Sequence, residues 1–277
     1  MNNKNTPLIS VVIPTFNSGN FIRETIEPVL NQTYKNFEII VVDDESTDNT
    51  VSILEELSGK DERITYYQIP HSGRPSVPRN YGVEKSNGEY IAFLDSDDIW
   101  IKDKLEKQIS EFKKHPDYIF VYSMSVTFGD VNIFSPHYEV LPLLYKVCKT
   151  KHDLISKGNS ITCSTVLIKK EYFQKVGGFD EDINLKAVED YDLWIRLSEL
   201  GSFGFVPRIQ TYYRVHGKQS SADWQTKQGR LKYLSDKRGW DLPVYKYYRN
   251  KGILFLLIRN AVHYSNFLFV KFLSLFD

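Results

Sequence analysis

The sequence lacks both common glycine-rich phosphate cradles: neither G-x-G-x-x-G nor G-x-x-x-x-G-K-[ST] occurs in its 277 residues. A dinucleotide fingerprint and a P-loop are thereby excluded. Cysteine is scarce, with only Cys148 and Cys163 and no C-x-x-C spacing, which rules out a disulfide framework or zinc site and suits a reducing compartment. Net charge is absent, since 35 basic and 35 acidic residues cancel. No global field recruits nucleic acid, and any anionic ligand must be handled locally. The N-terminal M-N-N-K-N-T has no signal-peptide core, so a cytoplasmic location is expected.

What is present is an alternation of short apolar runs and amphipathic segments, in a chain long enough for one large or two modest domains. Residues 8–14 (L-I-S-V-V-I-P) and 37–42 (F-E-I-I-V-V) read as strands, followed by helices carrying Phe21, Ile22, Ile26, Val29 and Leu30, and then Val51, Leu54 and Leu57. Pro28 should kink the first helix, and Thr47 or Asp48 can cap the second. Residues 64–67 read as a third strand, and a short helix ending near Ser86 precedes a fourth at Tyr90. This order predicts an α/β fold, a mostly parallel open sheet flanked by helices.

In such sheets ligands sit beyond the carboxyl ends of the strands. Pro14 to Asn17, Asp43 with Asp44, and the triplet Asp95, Asp97 and Asp98 all fall there. The triplet closes Y-I-A-F-L-D-S-D-D-I-W, a strand that stops abruptly in acid. It reads either as a capping loop for a helix beginning near Ile101 or as a site facing a cation. Without a glycine-rich cradle, a divalent metal at Asp95 to Asp97 is the natural way to neutralise a diphosphate.

The segments I-S-V-V-I-P-T-F-N, V-V-D-D-E-S-T-D-N-T and G-E-Y-I-A-F-L-D-S-D-D-I-W resemble the nucleotide-sugar-binding half of the family 2 glycosyltransferases, which have the GT-A fold. The resemblance implies Mn²⁺ or Mg²⁺ held by Asp97, with Asp95 a second ligand or a contact to the donor's ribose or sugar, and Ser96 between them. It implies that Pro14, Thr15, Phe16 and Asn17 line the base and ribose and that Asp44 accepts from the base, typically uracil. Arg79 and Asn80 match a pair flanking the donor. Two positions depart from the family pattern. Glu45 stands where glycine is usual, and Pro78 stands where a small residue precedes Arg-Asn; proline is well tolerated at a first helical position.

Beyond Trp100, Leu105, Ile109 and Phe112 mark a helix ending near His115 and Pro116, residues 118–147 read as strands and a variable loop, and residues 161–168 (I-T-C-S-T-V-L-I) as a strand. The segment V-E-D-Y-D-L-W-I-R-L then places Glu189 and Asp190 in the first turn of a helix, where the macrodipole favours negative charge. G-G-F-D-E followed by this segment resembles the family's acceptor-side motif. That implies Asp190 as general base and Glu189 as its acceptor-orienting partner; Asp192, two residues on, points elsewhere. By the same resemblance His216 is a metal or phosphate contact, and Arg214 and Lys218 are phosphate partners. Residues 252–276 are apolar but interrupted by Arg259, His263 and Lys271, too short a run to span a bilayer. With Lys246, Arg249 and Lys251 upstream, they read as a helix in the membrane interface, or one packed on the catalytic domain or a second subunit.

Three segments are thus expected: a donor-binding half (1–100), an acceptor and catalytic-base half (101–221) and a helical C-terminal extension (222–277). The expected activity is inverting, metal-dependent transfer of a sugar from a nucleotide-diphosphate donor to a hydroxyl of a glycan or lipid-linked acceptor in cell-surface polysaccharide synthesis. A sugar-nucleotide pyrophosphorylase and a non-catalytic glycan-binding scaffold are the alternatives.

Overall fold

The computed structural model describes residues 6–129, 140–141, 147–216 and 224–242. Its first half runs β1 (Ile9–Thr15), α1 (Ile22–Leu30), β2 (Phe37–Asp43), α2 (Thr50–Lys60), β3 (Ile64–Gln68), α3 (Ser76–Lys85), β4 (Tyr90–Phe93) and β5 (Ile99–Trp100). The second runs α4 (Lys104–Lys114), β6 (Phe120–Gly129), β7 (Val140–Leu141), α5 (Lys151–Lys157), β8 (Leu167–Lys169), α6 (Lys170–Lys175), α7 (Glu189–Ser198), β9 (Gly204–Val215) and α8 (Trp224–Arg238).

Strand β1 is buried along its whole length because it pairs in parallel with β2 on one side and β4 on the other. Its side chains alternate between two cores. Ile9, Val11 and Ile13 pack with Ile22, Ile26, Val29, Leu54 and Leu105 on the face covered by α1, α2 and α4. Val12 packs with Val83, Phe93, Leu193 and Trp194 on the face covered by α3 and α7. A strand apolar on both faces is what a helix-covered parallel sheet requires.

The sheet order is β3-β2-β1-β4-β8-β6-β9-β5, with β7 beside β6. The four strands from the first ninety-odd residues are all parallel, as their alternation with helices predicts. The rest is mixed: β8 joins β4 and β6 antiparallel, β9 lies parallel to β6, and β5 returns antiparallel onto β9.

Several local expectations are corrected. No helix begins near Ile101; β5 intervenes, and α4 starts at Lys104 with Asp103 at its N-cap position. Residues 161–168 are not one strand but a 3₁₀ turn, Cys163–Thr165, followed by β8. Ser164 and Thr165 turn their hydroxyls to Asp98 and to the Thr162 carbonyl, and such side-chain bonds compete with a ladder. Helix α2 starts at Thr50, and Asp48 serves it from outside by accepting the Thr50 N–H. Pro78 is the third residue of α3, within the turn whose N–H groups need no helical partner. On α4, Leu105, Ile109 and Phe112 are buried as predicted, but so are Lys104 and Gln108. The Lys104 ammonium sits over the Trp100 ring at 4.0 Å and donates to Gln108 Oε1 at 2.7 Å, and burial pushes its pKa well down.

Among the described residues no helix is long and apolar enough to cross a membrane. Lys218 and the tail from residue 243, with both readings of it, lie outside the described residues.

The turn into β4 carries one close approach. Gly88 donates its N–H to Ser10 Oγ at 2.8 Å, and a Cβ there would come within 2.6 Å of the Ser10 backbone nitrogen. Backbone cannot move aside as a side-chain tip can, so Gly88→Ala should destabilise the fold by about 1–3 kcal/mol, read as a lower denaturant midpoint with an unchanged slope.

Candidate active site

The acid loop after β4 divides into three different environments. Asp98 is fully buried, accepting from Ser164 Oγ at 2.5 Å and from the Arg214 N–H at 2.9 Å. Burial, followed by the charges of Asp97 and Asp95, pushes its pKa well up. It caps no helix; it ties the loop to the 3₁₀ turn and to β9. Asp97 turns outward, and its Oδ2 lies 2.9 Å from His216 Nε2. Burial and the neighbouring Asp95 raise its pKa, while His216 opposes the rise.

Asp95 faces the interior of the site. Its N–H donates to Ser164 Oγ at 3.1 Å, and its Oδ1 accepts from Arg79 Nη2 at 2.6 Å. Arg79 is 4% exposed and donates through Nη1 to Glu189 Oε1 at 2.8 Å. Its guanidinium also lies over the Phe179 ring at 5.2 Å. One side chain on α3 thus holds a carboxylate from each half of the molecule. Asn80, the next residue, takes another direction: it accepts the Phe179 N–H and donates to the Phe179 carbonyl and to Glu181. Arg79 and Asn80, expected to flank the donor, thus also brace the first turn of α7 and the G-G-F-D-E segment before it.

Asp190 is half-buried in the first turn of α7, and Asn159 Nδ2 lies 3.3 and 3.4 Å from its two oxygens. Burial and adjacent Glu189 push its pKa up to about 6, against the opposing charges of Lys227 and Arg79. The helix terminus favours the ionised form, but desolvation beside a like charge is the larger effect. Asp192 points away, as the helical offset predicts, fully buried between Arg196 and Arg238. Cys163, whose thiol burial pushes well up in pKa, lies in the same field as Arg79, Asp95, Asp190 and Glu189.

At the sheet edge, several side chains expected to line the donor make contacts that hold neighbouring loops. Asn17, with φ +50°, accepts the Thr47 and Asp48 N–H groups. Asp44 is buried, and its carboxylate accepts from the Ser72 and Gly73 N–H groups. Glu45 does adopt φ +64°, the conformation its glycine-like position demands, and accepts the His71 N–H. Ser96 Oγ pairs with Ser18 Oγ at 2.7 Å. Pro14 and Thr15 are buried at the end of β1, while Phe16 is 45% exposed and lies tilted against the His71 ring, centroids 4.3 Å apart. Arg214, expected as a phosphate partner, is committed to the acid loop. It donates to the Asp97 carbonyl and to Glu24, and it lies over the rings of Phe21 and Phe128.

Four site residues carry no signal in the sequence. Ser164, Asn159, His71 and Lys227 stand in segments without a chemical motif, and only tertiary packing brings them to the acids.

Among the described residues, no three His, Cys, Asp or Glu side chains gather as a metal cage. Asp97 and His216 nevertheless bring a carboxylate oxygen and an imidazole nitrogen to one point, beside the charge of Asp95. An oxygen-and-imidazole pair at a crowded anionic edge suits Mn²⁺ or Mg²⁺ shared with a phosphate-bearing ligand.

A parallel half-sheet ending in acid, joined through a buried arginine to a second carboxylate pair on a mixed half, defines a glycosyltransferase of GT-A type. The chain belongs to glycosyl transferase family 2, whose family model matches residues 10–177. It is 32% identical over 224 residues, 79% of this chain and 84% of the relative, to TuaG of Bacillus subtilis, named for teichuronic acid biosynthesis. It is 33% identical over 220 residues, 78% of this chain and 80% of the relative, to WfaP of Escherichia coli, a UDP-Glc:α-D-GlcNAc-diphosphoundecaprenol β-1,3-glucosyltransferase. Among solved structures, Staphylococcus aureus TarS 1–349 with UDP-GlcNAc superposes with a TM-score of 0.67 at 21% identity, over 83% of this chain and 66% of that one. The mannosyltransferase PcManGT of Pyrobaculum calidifontis, with GDP-Man and Mn²⁺, gives 0.65 at 18% identity, over 97% and 73%. These two likenesses bear on the fold. The enzyme class is that of the named relatives, and the pyrophosphorylase alternative finds no support.

Removing one partner from a buried ion pair strands the other. Arg79→Met should therefore cost about 3–5 kcal/mol of stability, and the double variant Arg79→Met/Glu189→Gln should recover part of that loss in denaturant titrations.

Proposed function

We propose that the protein transfers a sugar, with inversion, from a UDP-linked donor to a hydroxyl of a lipid-linked glycan during cell-surface polysaccharide synthesis. The observation carrying this reading is Asp190: a half-buried carboxylate with a pKa near 6, linked through Glu189 and Arg79 to the acid loop. A base of that strength is ionised at neutral pH yet accepts a proton more readily than an ordinary carboxylate. The relatives TuaG and WfaP support the setting, and the activity for which WfaP is named supports a UDP donor and a diphosphate-lipid acceptor.

Asp190 removes the acceptor hydroxyl's proton as its oxygen forms a bond to the anomeric carbon, on the face opposite the leaving nucleotide diphosphate. The anomeric C–O bond to the diphosphate breaks, and its electron pair leaves with that group. Glu189, charge-balanced by Arg79, keeps Asp190 from losing its proton affinity to the helix terminus. Asp97 and His216 would hold the divalent cation, which when bound supplies positive charge to the departing diphosphate. Phe16, exposed beside His71, offers a face for the base.

The two acidic sites predict different losses. Asp190→Asn should lower turnover by about 10² to 10⁴ and leave Mn²⁺-dependent UDP-sugar binding intact in a thermal-shift titration. Asp97→Asn should weaken that binding; equal donor affinity in the variant and the wild type counts against the cation site. Because the base must be unprotonated to act, kcat should fall as pH drops through about 6, and a rate independent of pH from 5 to 8 would refute Asp190 as the base.

A further inference from the structure

Helix α8 carries five cations, Lys227, Arg230, Lys232, Lys237 and Arg238, against one acid, Asp236. At its C-terminal end the charge is neutralised. Lys237 lies 2.9 Å from both Asp180 and Asp182, and Arg238 reaches Asp180 and Asp192 at 2.7 Å. Tyr233 adds a hydrogen bond to Asp182. These contacts fasten α8 across the loop that leads into α7 and the base.

The N-terminal half of α8 differs. Arg230 donates through Nη1 to the Lys186 carbonyl at 2.6 Å, which puts the backbone of a third basic residue, Lys186, against α8. Lys227 stands one turn before Leu231 and two before Leu234, on the buried face of the helix, and its charge reaches Asp190. Among the described residues, no carboxylate forms an ion pair with Lys186, Lys227 or Arg230. The acids close by are committed elsewhere: Glu189 to Arg79, and Asp182 to Lys237. Among the described residues, Lys186, Lys227 and Arg230 thus have no ion-pair partner, and they stand where α8 meets the residues leading into α7, with the charge of Lys227 reaching Asp190. Like charges held together without partners are stabilised by a bound anion.

We infer that Lys186, Lys227 and Arg230 form a ledge that binds the diphosphate through which the acceptor glycan is attached to its lipid. This rests on the transfer reading above and names the part of the acceptor recognised. A glycan hydroxyl at Asp190 leaves its diphosphate on the same side as α8, where the Arg230 fork and the two ammonium groups can make charge-assisted bonds to its oxygens.

The test titrates the full chain with farnesyl diphosphate in EDTA, which keeps metal-dependent nucleotide binding out of the readout. The wild type and Lys232→Gln, on the opposite face of α8, should bind alike. The double variant Lys227→Gln/Arg230→Gln should bind at least about tenfold more weakly, and farnesol should bind none of them. An unchanged Kd in the double variant, or farnesol binding as tightly as its diphosphate, overturns the ledge. Retention of the wild type on anionic phospholipid vesicles without farnesyl diphosphate binding overturns it in favour of a membrane surface. Sugar transfer is assayed separately. Intact transfer with no diphosphate binding removes the ledge alone, whereas a wild type that transfers no sugar removes the reading on which it rests.

Discussion

Arg79 is the constraint on which the rest of the site depends. Its guanidinium is buried between Asp95, at the end of a parallel strand, and Glu189, in the first turn of a helix on the other half of the molecule. A buried charge of this kind tolerates no slack, because moving either carboxylate leaves the other two groups without compensation in a poorly solvated place. The relative position of the acid loop and the first turn of α7 is therefore set electrostatically, and the apolar layers around Val12 and Trp194 need only hold α3 and α7 against the same sheet.

The acid loop shows how one short stretch can carry incompatible tasks. Asp95, Asp97 and Asp98 are adjacent in sequence and cannot share one solvation state. Asp98 is withdrawn beneath a serine hydroxyl and a backbone N–H, Asp95 is neutralised by arginine, and Asp97 alone meets His216 at the edge. Ser164 makes the partition workable, since one hydroxyl accepts from the backbone of Asp95 and donates to Asp98.

The parallel half was legible in the sequence because burial on both faces leaves near-continuous apolar runs, and strand-end acids stand out against them. The strand-end position of Asp97, which meets His216 from 119 residues away, and the place of Asp190 in the first turn of α7 ahead of Leu193 and Trp194 follow the motifs. The donor-edge assignments were less legible. Asn17, Asp44 and Arg214 sit where a ligand contact is expected, yet their polar atoms satisfy loop N–H groups and carbonyls, a demand that no residue-type pattern records. The antiparallel strands were hidden for a similar reason: residues 161–168 are rich in β-branched side chains, and only the pull of Asp98 on Ser164 shows why part of the run turns. Lys104, a charged residue buried on a helix face, broke no visible periodicity because its neighbours kept theirs.

The strapping of α8 to the loop before α7 separates what can vary from what cannot. Its ion pairs with Asp180, Asp182 and Asp192 engage no group of the acid loop and none of the β1 edge. Side chains on the exposed face of α8, such as Lys232, can thus be exchanged without disturbing the contacts that hold the acid loop and the β1 edge. In a scaffold so divided, sequence drift along one peripheral helix is uncoupled from the buried ionic joint that fixes the rest.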